Sequence, residues 1–149
     1  MRNKFANAIL LSFFIFSCTQ TETKQKEERT SAFSDYYEFS EMALLMEQMY
    51  EDLAKTKVQI LENQEIGGFP DKYNKIHTAK MSADFDRNEE FNRFANLYLQ
   101  NLKILHESSP EDIHRPELFN NVVNSCITCH KSDSGCIGPV SRIGKLGIE

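Results

Sequence analysis

From Tyr36 onward the apolar positions fall at three- and four-residue steps: Tyr36, Phe39, Met42, Ala43, Met46, Met49, Tyr50, Leu53 and Ile60. That period is the signature of a helix with one buried face, and it predicts a long amphipathic helix over about residues 34–63. Gly67-Gly68-Phe69-Pro70 is expected to stop it, and the polar stretch from Pro70 to Lys80 is long enough for only a short second helix. A second strong pattern at Phe85, Phe91, Phe94, Tyr98, Leu102 and Leu105 predicts a third helix, ended by Ser108-Ser109-Pro110. A last helix is expected after Pro116, a residue suited to a first helical turn, carrying Leu118, Phe119, Val122, Val123, Cys126 and Cys129. No run alternates between apolar and polar residues as a half-buried strand would. The expected fold class is all-α, an antiparallel four-helix bundle with a short second helix.

The first 34 residues obey a different rule. Arg2 and Lys4 precede the apolar run Ala8–Phe16, too short for a permanent membrane span of roughly 20 residues and typical of an export signal. Ile15-Phe16-Ser17-Cys18 resembles a bacterial lipoprotein box, so residues 1–17 are expected to be a lipoprotein signal peptide and Cys18 the lipidated residue. An ordinary secretory signal cut nearby is the alternative. Residues 18–34 are almost wholly polar and cannot repay the entropy of folding, so they form a lipid-bearing flexible tether. Residues 35–149 then make up the helical domain and its C-terminal tail. Thr19, where an Asp would signal inner-membrane retention in the lipoproteins it resembles, favours the outer membrane of a Gram-negative bacterium, facing the periplasm.

Charge narrows the partners. The 149 residues carry a formal charge of −5, and loss of Arg2 and Lys4 with the signal takes this to −7. Such a chain is a poor match for nucleic acid and a better one for a basic protein surface. No Ser/His/Asp set, phosphate loop or paired-carboxylate site argues for an enzyme.

The chemistry lies in Cys126-Ile127-Thr128-Cys129-His130, a C-x-x-C-H sequence. This is the attachment signature of a c-type haem. Residues three apart share a helix face, so both sulfurs can reach one edge of a porphyrin, and His130 follows as an axial ligand to the iron. Three other readings remain open. A redox C-x-x-C is expected at a helix start, where the dipole lowers a thiol pKa. A zinc site needs a fourth ligand, for which Cys136 or His114 could serve. A structural disulfide is the third. Cys136 is otherwise without a task, and the tail beyond Pro139, with Arg142 and Lys145, is expected to pack back on the bundle and bring positive charge near a haem propionate.

The segment Phe119-Asn120-Asn121-Val122-Val123-Asn124-Ser125-Cys126-Ile127-Thr128-Cys129-His130 resembles the last helix of the class II c-type cytochromes, the cytochrome c′ and c-556 group, in its F-x-x-V-x-x-x-C-x-x-C-H pattern. The resemblance implies one covalent haem c held by Cys126, Cys129 and His130, with Phe119 and Val122 beside it. It also implies a distal residue from the first helix, methionine in low-spin members and an apolar blocker in cytochrome c′. Leu45-Met46 matches the Leu-Met step that carries this ligand, which makes Met46 the expected sixth ligand, with Met49, Met42 and His77 as alternatives. Phe39, Tyr50, Phe91, Phe94, Tyr98 and Phe119 are expected to wall the pocket. The function so implied is electron transfer with transient redox partners; a five-coordinate haem protein binding NO or CO is the alternative. Oligomeric state is left open, a homodimer included.

Overall fold

The computed structural model describes residues 39–133 and 135–149, and these contain helices and turns with no strand. The expected signal peptide, the lipidation at Cys18, the tether and Tyr36 lie outside the described residues. The architecture is all-α. Helix α1 spans Glu41–Leu61, α2 Glu89–His106, α3 Arg115–Lys131 and a short α4 Val140–Gly144, with a 3₁₀ helix at Asp71–His77 between α1 and α2.

Each boundary has a local cause. Ser40 sits in extended backbone and its hydroxyl accepts from the Ala43 N–H at 3.1 Å, so α1 begins directly after it. Its buried stripe, Met42, Leu45, Met49, Leu53, Thr56 and Ile60, keeps the expected period. The helix stops earlier than Gly67-Gly68 because Asn63 turns into left-handed backbone at φ 53°, its N–H bonded back to Ile60. Asn tolerates that conformation better than most residues. The expected short second helix is a 3₁₀ segment: Tyr73 and Ile76, three apart, eclipse on one buried face, as three residues per turn requires. Tyr73 donates to the Asp52 carboxylate at 2.5 Å and so ties this segment to α1.

Phe85 belongs to a turn, its N–H bonded to Ser82, and α2 starts only after Asn88, whose side chain accepts from the Phe91 N–H at 2.8 Å. Phe91, Ala95, Tyr98, Leu102 and Leu105 form its buried face. Pro116 stands in the first turn of α3, where its missing N–H costs nothing. The most extensive helix packing joins α2 to α3, and a polar contact inside it, Asn101 Nδ2 to Ser125 Oγ at 2.7 Å, helps set their register.

The tail returns to the body of the domain, as expected. Ile143 and Leu146 are buried, and Asn120 on α3 exchanges two hydrogen bonds with the main chain of Ile148, each 2.8 Å. Lys57 on α1 donates to the Gly147 carbonyl at 2.7 Å, so the tail is tied to two helices. No described helix is long and apolar enough to cross a membrane.

Candidate functional site

Residues from every described α-helix, and Ile76 from the 3₁₀ segment, surround one apolar cavity of about 70 Å³. From α1 come Met46, Met49, Tyr50 and Leu53; from α2, Phe91, Phe94, Ala95 and Tyr98; from α3, Ser125, Cys126, Cys129 and His130. The tail closes one side with Pro139, Arg142, Ile143 and Leu146. Residues far apart in the chain thus meet: the C-x-x-C-H sequence and Met46 face the same space.

Several sequence expectations fall elsewhere. Phe119 and Val122 are fully buried in the core and are not among the residues lining the cavity. They lie seven and four residues before Cys126, on the same face of α3 but about 10 and 6 Å back along its axis, which places them beyond the cavity. Phe39 precedes the Ser40 cap, is 56% exposed and does not line the cavity. Met42 is buried one turn before Met46 and does not reach the cavity. His77 ends the 3₁₀ segment and does not line it either. His106 is engaged with the Gly67 carbonyl at 3.0 Å. Among the distal alternatives, Met46 and Met49 reach the cavity, with Met49 the more deeply buried.

The thiols are held in a setting unsuited to exchange chemistry. Burial pushes the Cys126 thiol up to about 12, and neighbouring Cys129 adds to the rise. Cys129 is raised by burial and by Glu90. A reactive C-x-x-C needs the opposite shift. Cys126, Cys129 and Cys136 are all free thiols here. A zinc site fares no better: among the described residues no three His, Cys, Asp or Glu side chains converge as a chelating group. His114 caps the far end of α3, about 22 Å along the helix from Cys129 at 1.5 Å per residue. Cys136 meets His130 through its main-chain carbonyl, which lies 2.7 Å from Nδ1.

That contact defines the histidine. A carbonyl only accepts, so Nδ1 carries a proton, and in the neutral ring Nε2 then keeps its lone pair. Metal-bound histidines are characteristically oriented by a hydrogen bond of this kind from the second ring nitrogen. Tyr98, also on the cavity wall, has a buried hydroxyl with no partner. Burial and the nearby Cys126 thiol hold its pKa well above the ordinary tyrosine value, so it stays a neutral donor. A buried donor without an acceptor is costly, and it marks the cavity as suited to a group with acceptors of its own.

At the mouth, the Arg142 guanidinium pairs with Glu47 at 2.6 Å and lies 3.9 Å from the Tyr50 ring centre. Lys145 points elsewhere and is exposed, so one of the two expected positive charges reaches the cavity. Sequence periodicity had no access to Ser125, Ala95, Ile143 or Leu146 as lining residues, since their placement depends on how α2 and the tail pack on α3. No family model matches the chain, and no curated protein and no solved structure matches it.

Proposed function

We propose that this protein is a monohaem c-type cytochrome of the class II kind, an electron carrier with His130 and Met46 as axial ligands. The observation that carries the reading is the convergence of Cys126, Cys129, His130 and Met46 on one apolar cavity. Two free thiols one helical turn apart, an imidazole with its Nε2 lone pair available and a thioether fit a haem c, and the unpartnered Tyr98 hydroxyl fits a bound group that offers acceptors. In this reading the three long helices and the 3₁₀ segment are the four members of an antiparallel bundle.

The chain's own residues would each have a task. Cys126 and Cys129 would hold the group covalently, each thiol adding its S–H across a vinyl double bond with nothing lost. His130 would offer Nε2 and Met46 on α1 its sulfur as the ligands that hold the iron. Bound there, haem supplies an iron that gains and loses one electron. Leu53, Phe91, Ala95 and Tyr98 exclude water, which favours the less charged ferrous state and raises the potential. Export, lipidation at Cys18 and placement in the periplasm at the outer membrane complete the proposal, with a basic redox partner meeting the acidic surface at low salt.

The test is expression of the full chain together with a c-type maturation system, followed by a denaturing gel stained for haem and visible spectra with and without carbon monoxide. Covalent haem that disappears in the Cys126→Ser, Cys129→Ser variant, with a low-spin reduced spectrum indifferent to carbon monoxide, is the expected result. A chain that takes up no covalent haem refutes the reading. A high-spin spectrum that responds to carbon monoxide replaces electron transfer with gas binding.

A further inference from the structure

Beyond α3 the main chain folds back over the helix end. The Ser132 N–H bonds to the Cys129 carbonyl at 3.1 Å, and the Gly135 N–H bonds to the Ser132 carbonyl at 3.1 Å. This reversal brings the Cys136 carbonyl to 2.7 Å from His130 Nδ1. It is possible only because Gly135 has no side chain: a Cβ there would lie 2.2 Å from the Cys129 oxygen and 2.6 Å from the His130 Cα. Both are backbone atoms of the terminal turn of α3, so no side chain could swing aside to make room. Gly135 is not among the residues in left-handed backbone. Its requirement is therefore close approach and not an unusual dihedral angle. Gly138, three residues later, makes the contrast, since a Cβ there would meet only the Cys136 sulfur at 3.8 Å, an ordinary contact.

We infer that Gly135 is a positioning residue for His130: by letting the chain lie against the end of α3, it places the Cys136 carbonyl to hold the imidazole in its Nδ1–H tautomer with Nε2 free. The functional meaning of this role rests on the haem reading above, while the tautomer itself belongs to the chain alone. In a neutral free histidine the proton prefers Nε2, which would block the nitrogen that an iron needs. The carbonyl reverses that preference before any cofactor arrives. Once the ligand is bound, the same hydrogen bond makes the imidazole a stronger donor and favours the ferric state. The unassigned Cys136 thus contributes through its main chain, and the identity of its side chain is free to vary.

The experiment has two arms. In the first, nitrogen NMR of the full chain without cofactor, with labelled histidine and at a pH where the ring is neutral, reads the tautomer of His130. The Nδ1–H form is expected in the unmodified chain and in Gly138→Ala, and its loss in Gly135→Ala. In the second, the haem-loaded Gly135→Ala protein is expected to show a higher reduction potential than the parent, with Gly138→Ala unchanged. An Nε2–H tautomer in the unmodified chain overturns the inference outright, and that measurement stands even if Gly135→Ala does not fold. Equal behaviour of the two alanine variants overturns it as well. A chain with the expected tautomer that acquires no haem removes the cytochrome function and leaves the positioning of His130 intact.

Discussion

Arg142 reaches across ninety-five positions of sequence to Glu47, its guanidinium nitrogen 2.6 Å from the carboxylate, while the same group lies 3.9 Å from the centre of the Tyr50 ring. The pair joins the tail to α1 at the mouth of the cavity. Both side chains remain about half exposed. Water and salt therefore screen most of the attraction.

Arg142→Ala should for that reason cost less than about 1 kcal/mol of stability, and the cost should fade as salt is raised. Urea unfolding at low and high ionic strength measures it. A loss of several kcal/mol that ignores salt would mean that the contact is chiefly packing against Tyr50.

The apolar anchors of the tail should matter more. Leu146 is 5% exposed and lines the cavity, so Leu146→Ala should destabilise the domain by about 2–4 kcal/mol, the range for emptying a buried leucine site. The same change should speed exchange of the amide of Ile148, which Asn120 holds at 2.8 Å. Unchanged unfolding would show that the tail is not a part of the cooperative unit.

Under the proposed haem reading, Met46 would decide between two kinds of iron site. In the haem-loaded protein Met46→Ala is expected to lose the low-spin spectrum and to bind carbon monoxide readily, whereas Met42→Ala and His77→Ala leave ligation as it was. Neither of those two residues lines the cavity. Should Met46→Ala keep the parent spectrum and Met49→Ala lose it, the ligand moves one turn along α1.

The Tyr73–Asp52 hydrogen bond gives a dependence on pH at both ends. Burial raises the Asp52 pKa, but the bonds from Lys72 and Tyr73 outweigh it, so the carboxyl lies below its ordinary 3.8. Its contribution is full above that value and is lost as pH falls through the depressed one. Tyr73 is raised above 10.0, first by burial and then by Asp52. Its contribution is full below 10.0 and is lost as pH rises. Tyr73→Phe should cost about 1 kcal/mol near neutrality, with the gap to the parent narrowing in acid and again in alkali. A gap independent of pH, followed by urea titrations from acid to alkali, would falsify the link to this pair.

Residue order alone disclosed the three long helices, because burial of one helix face imposes a period that Met42, Met49 and Leu53, or Phe91, Tyr98 and Leu102, must keep. It also disclosed the C-x-x-C-H spacing, whose meaning is local to one helical turn. Boundaries were harder. Ser40, Asn63 and Asn88 end or begin helices through single hydrogen bonds and one dihedral angle, which leave little trace in a hydrophobic pattern. What lines the cavity was settled only by tertiary packing. Phe119 and Cys126 share one face of one helix, yet the first is buried in the core and the second lines the cavity, because seven residues of rise carry them to different levels of the domain. Gly135 is the sharpest case. As a letter in the chain it reads as loop, and its requirement exists only because the fold lays it where a Cβ would stand 2.6 Å from the Cα of the histidine it helps to hold.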